Sequence, residues 1–456
     1  MRTPAYEKVR FAGYAIPTTP ADIIAFGDQR GRGAMAGTYR AADDLLADVR
    51  GRAAVMKAAV DLTRGALPDL GDPSVLNVFV APEFFWHGPL GPYVSTPGGR
   101  DPAEIVLEVL SEQFPASQYP HFLLVLGSVV TAEVADIDAV LDSVDARTRT
   151  DIVRHLGEAW RRSSGVMRGV IFDMMVDFIR SAHAYPLVQV RNRGLVISST
   201  PVDGIVSALG AGAFTTQKHY DSHEDFLLWE TAGKPVVTEA MATYPRLDLS
   251  AGDFKTHASD PHAIFAVPGD RTAVNVAVEV CLDHADRRLR KSSARSPWPR
   301  PDDGLDLHLV PSCGMQLHAP AVAARSGGWA FNCDGQYPLG DLGTEGVRRQ
   351  GVVAGVECVY ADYVDSASPA HAAHTQLARV RTGPLLPDEN APGAMDATFA
   401  PPPQVTVDIL PVPPIDEVGG LFAGGAGAVH IYGITEPMPL RESLRADRPG
   451  SHAGGG

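Results

Sequence analysis

The sequence predicts a layered α/β fold, in which β-sheets are packed against helices. Three observations support this prediction. Short β-rich runs alternate with helical stretches along the chain. Apolar residues make up 45% of it, enough to bury a sizeable core. The chain contains no internal repeat, which argues against a solenoid. The length of 456 residues suits one large domain or two ordinary ones.

The N-terminal third begins with strands and helices in alternation. Residues 9–16 and 75–81 are apolar runs of strand length, and Pro82 ends the second. Residues 102–112 predict a helix, and residues 121–130 predict a third strand. A long amphipathic helix precedes the second strand, because apolar residues recur there at helical spacing: Ala41, Leu45, Val49, Ala53, Met56 and Val60.

The rest of the chain combines a helical segment with further strands. Residues 131–185 carry helical periodicity, many charges and few glycines, which predicts a helical insertion. Strand patterns follow at 186–200, 263–267, 274–280, 305–310, 329–333, 405–410 and 428–434. The proline-rich stretch 384–403 predicts an exposed loop. The predicted organisation is a main domain (1–383), a C-terminal extension with late strands (384–440) and a disordered tail (441–456).

Charge and composition exclude several function classes. The formal net charge of −15 repels phosphate backbones and argues against nucleic-acid binding. No apolar run reaches the roughly 18–20 residues of a membrane span, and the N-terminus lacks the apolar stretch of a signal peptide. Four cysteines without a CxxC pair make neither a disulfide framework nor a structural zinc site. We therefore expect a soluble, cytoplasmic protein.

Three chemically capable side chains lie at or just past predicted strand ends. They are Glu83, after VFVAP, Lys218, in FTTQKHY, and Cys281, after VNVAVEV. A rigid strand aims such a side chain while the adjoining loop leaves room for a substrate. A thiol becomes a good nucleophile only when it is ionised. Glu83 can take its proton, and Lys218 and the N–H of Leu282 can stabilise an oxyanion.

The segments around these residues resemble the three signatures of the nitrilase, or carbon–nitrogen hydrolase, superfamily. VFVAPEFF resembles the segment that presents the general base. Residues 192–219 (NRGLVISSTPVDG…TTQKHY) resemble the Asn-led strand with its Lys-His motif, and VNVAVEVCLDH resembles the strand that ends in Cys-x-Asp. DLHLVPSCG and GSVV resemble two further family segments. The resemblance covers about residues 8–335.

This resemblance implies an α-β-β-α sandwich that carries the helical insertion. It also implies roles: Glu83 as general base, Lys218 as oxyanion-stabilising cation and Cys281 as nucleophile. Members often use a second glutamate, for which Glu224 is the first choice and Glu230 the second. His284 is a candidate for substrate positioning. The chemistry needs no metal or cofactor, and subunits of the family commonly form dimers or higher homo-oligomers.

The expected substrate is a small-molecule amide. Leu282-Asp283 follows the nucleophile where nitrilases usually have Trp-Glu, so the sequence is closer to amidase-like branches. Nitrile hydrolysis, acyl transfer to an amine and a non-catalytic scaffold role are the alternatives. Cys313 is the rival nucleophile. Arg287, Arg288, Arg290 and Lys291 form either a clamp for a substrate carboxylate or a solvated charge run.

Overall fold

The structure is a computed structural model. It describes residues 4–19, 39–88, 91–95, 99–134, parts of 159–174, 188–202, parts of 205–210, 212–218, 230–231, 234–235, 261–270, 272–291, 304–340, 348–365, 367, 371–383, 396–401, 404–416 and 418–441.

The first of two large β-sheets brings together the two ends of the chain. Its strand order is β17-β18-β1-β2-β4-β5-β6, with β19 paired to β1 and β3 to β4. The neighbours β1, β2 and β4 run parallel. The strands are β1 (Lys8–Ala15), β2 (Val75–Ala81), β3 (Tyr93–Ser95), β4 (Phe122–Val134), β5 (Val188–Ser198), β6 (Ala213–Gln217), β17 (Val407–Pro411), β18 (Ala428–Tyr432) and β19 (Met438–Pro439).

The second sheet is built from the C-terminal half of the chain. Its order is β13-β14-β15-β12-β11-β10-β9, with β16 paired to β15, and β10, β11 and β12 run parallel. The strands are β9 (Ile264–Val267), β10 (Val274–Val278), β11 (Leu305–Ser312), β12 (Ala324–Asp334), β13 (Arg348–Val353), β14 (Val356–Val364), β15 (Ala372–Thr382) and β16 (Thr398–Phe399). A separate two-stranded pair consists of β7 (Glu230–Thr231) and β8 (Lys234–Pro235).

Two long helices cover the outer face of the first sheet. Helix α1 (Leu45–Ala66) begins at Asp44, whose side chain accepts the N–H of Ala47. Helix α2 (Pro102–Gln113) begins in the same way at Asp101, with proline in its first turn. Two short helices, α3 (Leu282–Ala285) and α4 (Arg288–Lys291), follow β10. Among the described helices, none is both long and apolar enough to cross a membrane.

Alternation along the strands separates the core into layers. In β1, Phe11 points between the two sheets, where its ring stacks on Phe331 with centroids 5.1 Å apart. The next residue, Ala12, points to the opposite face and packs in the cluster that contains the apolar faces of α1 and α2. The two sheets therefore lie face to face around a shared apolar core.

The predicted α/β class is confirmed. The predicted four-layered α-β-β-α sandwich differs from the structure in its last layer. The outer face of the second sheet is packed against loop residues such as Leu317 and Val322, and against β16. In the described part of that face, the only helices are the short α3 and α4, of which Leu289 is buried against Ala277. The structure thus has three regular layers, α-β-β, with an irregular fourth.

Several predicted boundaries change. The expected helical insertion begins at 131, but residues 131–134 continue β4, and most of 135–187 lies outside the described residues. The late strands assigned to a C-terminal extension join the first sheet, where β18 pairs with β1. Strand β10 ends at Val278 instead of at 280. The predicted tail lies outside the described residues, apart from Arg441.

Candidate active site

The carboxylate of Glu83 is held just past the end of β2. Its neighbour Phe84 has a positive φ of 58° and donates its N–H to the Ser128 hydroxyl over 3.0 Å. Gly127 allows this close contact, because a β-carbon there would lie 2.5 Å from the Pro82 carbonyl oxygen. The bend at Phe84 turns the Glu83 side chain inward, where the residue is 0% exposed.

Two side chains, one from β5 and one from the residue after β6, converge on one oxygen of Glu83. Lys218 Nζ lies 2.8 Å from Glu83 Oε1, and both side chains are fully buried. Asn192, on β5, donates its side-chain N–H to the same oxygen over 2.8 Å. The Lys218 N–H donates to the Asn192 carbonyl over 2.9 Å, which fixes the two donors relative to one another. Glu83 and Lys218, two of the candidate site residues, thus lie side by side as a buried ion pair.

Cys281 lies three residues after β10 in a strained backbone conformation. Its φ of 46° and ψ of −110° fall outside the regions that residues with a β-carbon normally occupy. Its N–H donates to the Pro311 carbonyl at the end of β11 over 3.0 Å, and α3 begins at the next residue, Leu282. A conformation of this kind costs about 1–3 kcal/mol and is typical of functional sites.

The end of β11 connects the cysteine to the ion pair. The Glu83 N–H donates to the Ser312 carbonyl over 3.2 Å, although Glu83 belongs to the first sheet and Ser312 to the second. The Cys281 sulfur lies 3.8 Å from the Cys313 carbonyl oxygen, one residue further on. The three predicted catalytic residues are therefore gathered at the same edge of the two facing sheets.

Cys313, the rival nucleophile, is in the same neighbourhood but in a setting that favours the neutral thiol. Burial raises its pKa well above the ordinary value, and the negative charges of Asp334 and Glu83 raise it further. The Thr18 hydroxyl donates to its sulfur over 3.5 Å. Because only the thiolate is strongly nucleophilic, these surroundings argue against Cys313 as the attacking group.

The other predicted site residues have varied surroundings. Glu224 lies outside the described residues, and only the backbone of Glu230 is described, in β7. Both ring nitrogens of His284 hydrogen-bond within the protein, to Glu279 and to the His318 N–H, so neither is turned toward a substrate.

Two of the arginines that follow Cys281 are engaged with the protein as well, whereas Arg287 is exposed. Arg288 pairs with Asp286 at 2.9 Å, and Arg290 donates to the Pro320 carbonyl over 3.0 Å. Both are at most 9% exposed, so they are neither a solvated charge run nor side chains extended toward a ligand. These contacts remove the support for a carboxylate clamp at these two positions.

Four further residues support the site and were not predicted. Asn192 was noted only as the start of a motif, yet it orients Glu83. The Asp334 carboxylate accepts the Ser312 hydroxyl and the N–H groups of Gly314 and Met315, and so fixes the loop after β11. Glu279 and His308 form a buried cluster with His284. Of these four residues, only Glu279 could have been recognised in the sequence, because it is a charged residue within the largely apolar run VNVAVEV.

A cavity of about 360 Å³ lies beside α3. Ala285, Gly314, Met315, His318 and Tyr337 contribute to its wall. Gly314 directly follows the residue whose carbonyl contacts the Cys281 sulfur. A volume of this size suits a small molecule.

Comparisons of the chain with protein-family models, curated proteins and solved structures find no match in any of the three. The candidate site therefore stands on its own residues and geometry.

Proposed function

We propose that this protein is a cysteine hydrolase of the nitrilase type, which cleaves the carbon–nitrogen bond of a small-molecule amide. One observation carries the proposal: a fully buried Lys218–Glu83 ion pair lies at the same sheet edge as a cysteine with a strained backbone. The face-to-face sheets and the order of the three motifs along the chain agree with the resemblance to that superfamily.

The energetics of the pair favour a functional role. Removing two charges from water costs several kcal/mol per ion, and their mutual attraction only partly offsets that cost. Apolar residues of similar volume often stabilise a core as well or better. A buried carboxylate and ammonium beside a thiol instead have the chemistry that a cysteine nucleophile requires, a base and a cation.

In the proposed acylation step, Glu83 accepts the Cys281 proton while the sulfur attacks the amide carbonyl carbon. The resulting oxyanion is stabilised by Lys218 and by the N–H of Leu282. As the first residue of α3, Leu282 has an N–H without an acceptor inside its own helix. The carbon–nitrogen bond then breaks, and the amine leaves with the proton that Glu83 returns. The product of this step is a thioester on Cys281.

In the proposed deacylation step, Glu83 removes a proton from water, which attacks the thioester carbonyl. The carbon–sulfur bond breaks, the carboxylic acid leaves, and the proton returns to the Cys281 sulfur. The position of Asn192 suits this double use of Glu83, because its hydrogen bond holds one carboxylate oxygen in place through both steps.

Access to the thiol is narrow. Cys281 is 4% exposed and Lys218 is 1% exposed. Substrates must therefore be small, or the chain around the site must open before acylation. The 360 Å³ cavity beside α3 is lined by Gly314, next to the residue whose carbonyl contacts the Cys281 sulfur, and is the proposed space from which a substrate approaches.

The test uses p-nitrophenyl acetate, which acylates activated thiols whatever the natural substrate is. We expect a burst of p-nitrophenolate equal to the enzyme concentration, and a mass increase of one acetyl group that maps to Cys281. Cys281→Ser and Glu83→Gln should abolish the burst, and Cys313→Ser should retain it. A burst that survives Cys281→Ser, or an adduct on Cys313, would overturn the proposal.

A second panel separates amide from nitrile hydrolysis. It contains acetamide, hexanamide and benzamide with acetonitrile, hexanenitrile and benzonitrile as matched partners. We expect release of ammonia from at least one amide at a higher kcat/KM than from its nitrile. The opposite order would assign the site to nitriles, which form a thioimidate on the same cysteine.

A further inference from the structure

A second buried polar cluster includes residues on both sides of Cys281 in sequence and has the composition of a metal site. Its members, Glu279, His284 and His308, are each at most 3% exposed. His284 Nδ1 lies 2.9 Å from Glu279 Oε2, and His308 Nε2 lies 3.0 Å from the same oxygen. Two histidines and a carboxylate at such distances are a common ligand set for zinc.

The outer nitrogens of the two rings decide where the protons are. The His318 N–H donates to His284 Nε2 over 3.0 Å, and the Ala323 N–H donates to His308 Nδ1 over 3.1 Å. A backbone N–H can only donate, so both outer nitrogens lack a proton. The single proton of each neutral ring is then on the inner nitrogen. The Nδ1–H of His284 donates to Glu279 Oε2, and Nε2 of His308 lies 3.0 Å from the same oxygen. A metal ion in this place would require two imidazolate anions.

The carboxylate of Glu279 is satisfied by these donors. Its Oε1 accepts the Leu289 N–H over 2.9 Å, and its Oε2 is shared by the two histidines. Burial alone would raise the pKa of Glu279, but the hydrogen bonds from His284 and His308 lower it to about 2. Burial lowers the pKa of His284, which keeps the ring neutral. One negative charge is thus held among neutral donors.

We infer that Glu279, His284 and His308 form a positioning cluster that sets the direction of the turn after the nucleophile. Glu279 precedes Cys281 by two residues and His284 follows it by three, so their hydrogen bond closes a ring around the strained residue. The His284 N–H also donates to the Cys281 carbonyl over 2.8 Å. His308 ties this ring to β11, and Leu289 ties it to α4.

The inference rests on the proposed function, because the group that the ring aims is the Leu282 N–H, the proposed oxyanion donor. Glu83 and Lys218, which act on the thiol itself, belong to the other sheet and do not depend on this ring. A weakened ring should therefore lower the rate of acyl transfer and leave the reactivity of the thiol unchanged.

The first test is Glu279→Gln. The glutamine amide faces three N–H donors, and its own NH2 group cannot accept a hydrogen bond, so at least one of these donors loses its acceptor. With p-nitrophenyl acetate, we expect kcat to fall roughly 10- to 100-fold with KM nearly constant. The rate of Cys281 alkylation by iodoacetamide should stay within about twofold, as for a thiol that this ring does not activate. An unchanged kcat, or an alkylation rate that falls in parallel with kcat, would overturn the inference.

Rescue by a conservative variant separates positioning from simple loss of stability. In His284→Asn the side-chain amide can replace the Nδ1–H that Glu279 accepts, and in His284→Ala it cannot. We expect the asparagine variant to keep a severalfold higher kcat than the alanine variant. The control is His430→Ala, an equally buried histidine on β18 that hydrogen-bonds to Thr375, and its kcat should stay near the original. Equal kcat values for the two His284 variants would contradict the assignment.

A readout independent of turnover distinguishes failure of this inference from failure of the proposed function. Long-range ¹⁵N–¹H spectra at pH 7 should place the ring proton on Nδ1 of His284 and on Nε2 of His308, unchanged after addition of Zn²⁺. The opposite tautomers, or stoichiometric zinc binding at these rings, would overturn the cluster itself. A chain without a Cys281-dependent burst would instead overturn the proposed function, and the positioning role with it.

Discussion

At the scale of single residues, the central feature is a charge pair that is buried in the folded protein. Lys218 and Glu83 are both fully buried and lie 2.8 Å apart. Removing one partner from such a pair leaves an uncompensated charge in the interior, which costs more than removing both. The stability of the protein should therefore depend on the two residues jointly.

A double-mutant cycle measures this dependence. We expect Lys218→Met to lower the free energy of unfolding in urea by about 3–5 kcal/mol, because the Glu83 carboxylate stays buried without its cation. The double variant Glu83→Gln with Lys218→Met should be less destabilised than the sum of the two single variants. Additive losses would show that the two side chains do not interact in solution.

Candidate site residues that belong to motifs could be predicted from the sequence, whereas residues that act through contacts could not. Glu83, Lys218 and Cys281 each follow a recognisable strand. Asn192 and His308 become important only because folding brings them beside Glu83 and Glu279. The chain separation between Asn192 and Glu83 is 109 residues, a distance over which strand patterns carry no information on contact.

At the scale of elements, the turn after β2 depends on a glycine in β4. Gly127 has a φ of 75°, and the pairing of β4 with β5 shifts register between Val125 and Ser128. This bulge puts the Ser128 hydroxyl where it accepts the Phe84 N–H. The conformation of Gly127 thus supports the turn that directs Glu83 inward.

Gly127→Ala tests that dependence. The positive φ costs a residue with a β-carbon about 1–2 kcal/mol, and the added carbon would lie 2.5 Å from the Pro82 carbonyl oxygen. We expect a lower free energy of unfolding in urea and a smaller p-nitrophenolate burst. Gly351→Ala in β13 is the matched control, because no atom lies within 4 Å of its added carbon. Equal losses in the two variants would refute a special role for Gly127.

The segment around the nucleophile should make the fold sensitive to acid. The pKa of Glu279 is lowered from 4.5 to about 2, so its contribution to stability is complete above pH 4.5 and is lost as the pH falls toward 2. By linkage this amounts to about 3 kcal/mol. The pKa of His284 is lowered from 6.5, so folding also weakens as the pH falls below 6.5, where the unfolded chain binds the proton more readily.

Urea unfolding at pH 7, 5.5, 4 and 3 measures this effect. We expect the free energy of unfolding to decrease at each step. In Glu279→Gln, the part of the decrease below pH 4.5 that comes from this carboxylate should be absent. An identical pH dependence in the two proteins would mean that Glu279 does not titrate as described.

Helices and strands could be predicted where apolar residues recur with a clear period. They could not be predicted where polar residues interrupt the apolar pattern. The predicted helix at 102–112 and strand at 75–81 agree closely with α2 and β2. The antiparallel run β13–β15 was not predicted, although β15 is central to the second sheet. Its buried strand AAHTQLARVRT mixes polar and charged residues with small ones, so its sequence lacks a clear apolar pattern.

At the scale of the whole molecule, the two ends of the chain complete one sheet. β18 pairs with β1 over five residues, and β17 pairs with β18. The Tyr432 hydroxyl lies 2.8 Å from the Thr375 hydroxyl of the other sheet. The late strands of the predicted extension 384–440 therefore contribute to the same sheet as β1.

Truncation tests this integration. We expect a chain that ends at residue 403 to lose cooperative thermal unfolding, measured by circular dichroism, because Val429 and Ile431 leave the core beneath α1. A chain that ends at residue 445 keeps every described strand and should unfold like the full chain. Cooperative unfolding of the shorter chain at the original temperature would restore the interpretation of a separate extension.

The order of the strands within the sheets and the arrangement of the layers could not be predicted from residue patterns. Alternation predicts which face of a strand is buried, and Phe11 and Ala12 follow it. It does not predict which strands are neighbours, because pairing between distant segments is set by packing of the whole core. The predicted homo-oligomer likewise stays a prediction.

The proposed chemistry depends on the activation of the Cys281 thiol by Glu83 and Lys218. The most direct measurement is the rate at which iodoacetamide alkylates each of the four cysteines, followed by peptide mass mapping in the original protein and in Glu83→Gln. We expect Cys281 to react first, well ahead of Cys358, whose pKa is raised to about 11 by burial. We also expect this advantage to disappear in Glu83→Gln. A Cys281 that reacts no faster than Cys358, or equally fast in both proteins, would contradict the claim.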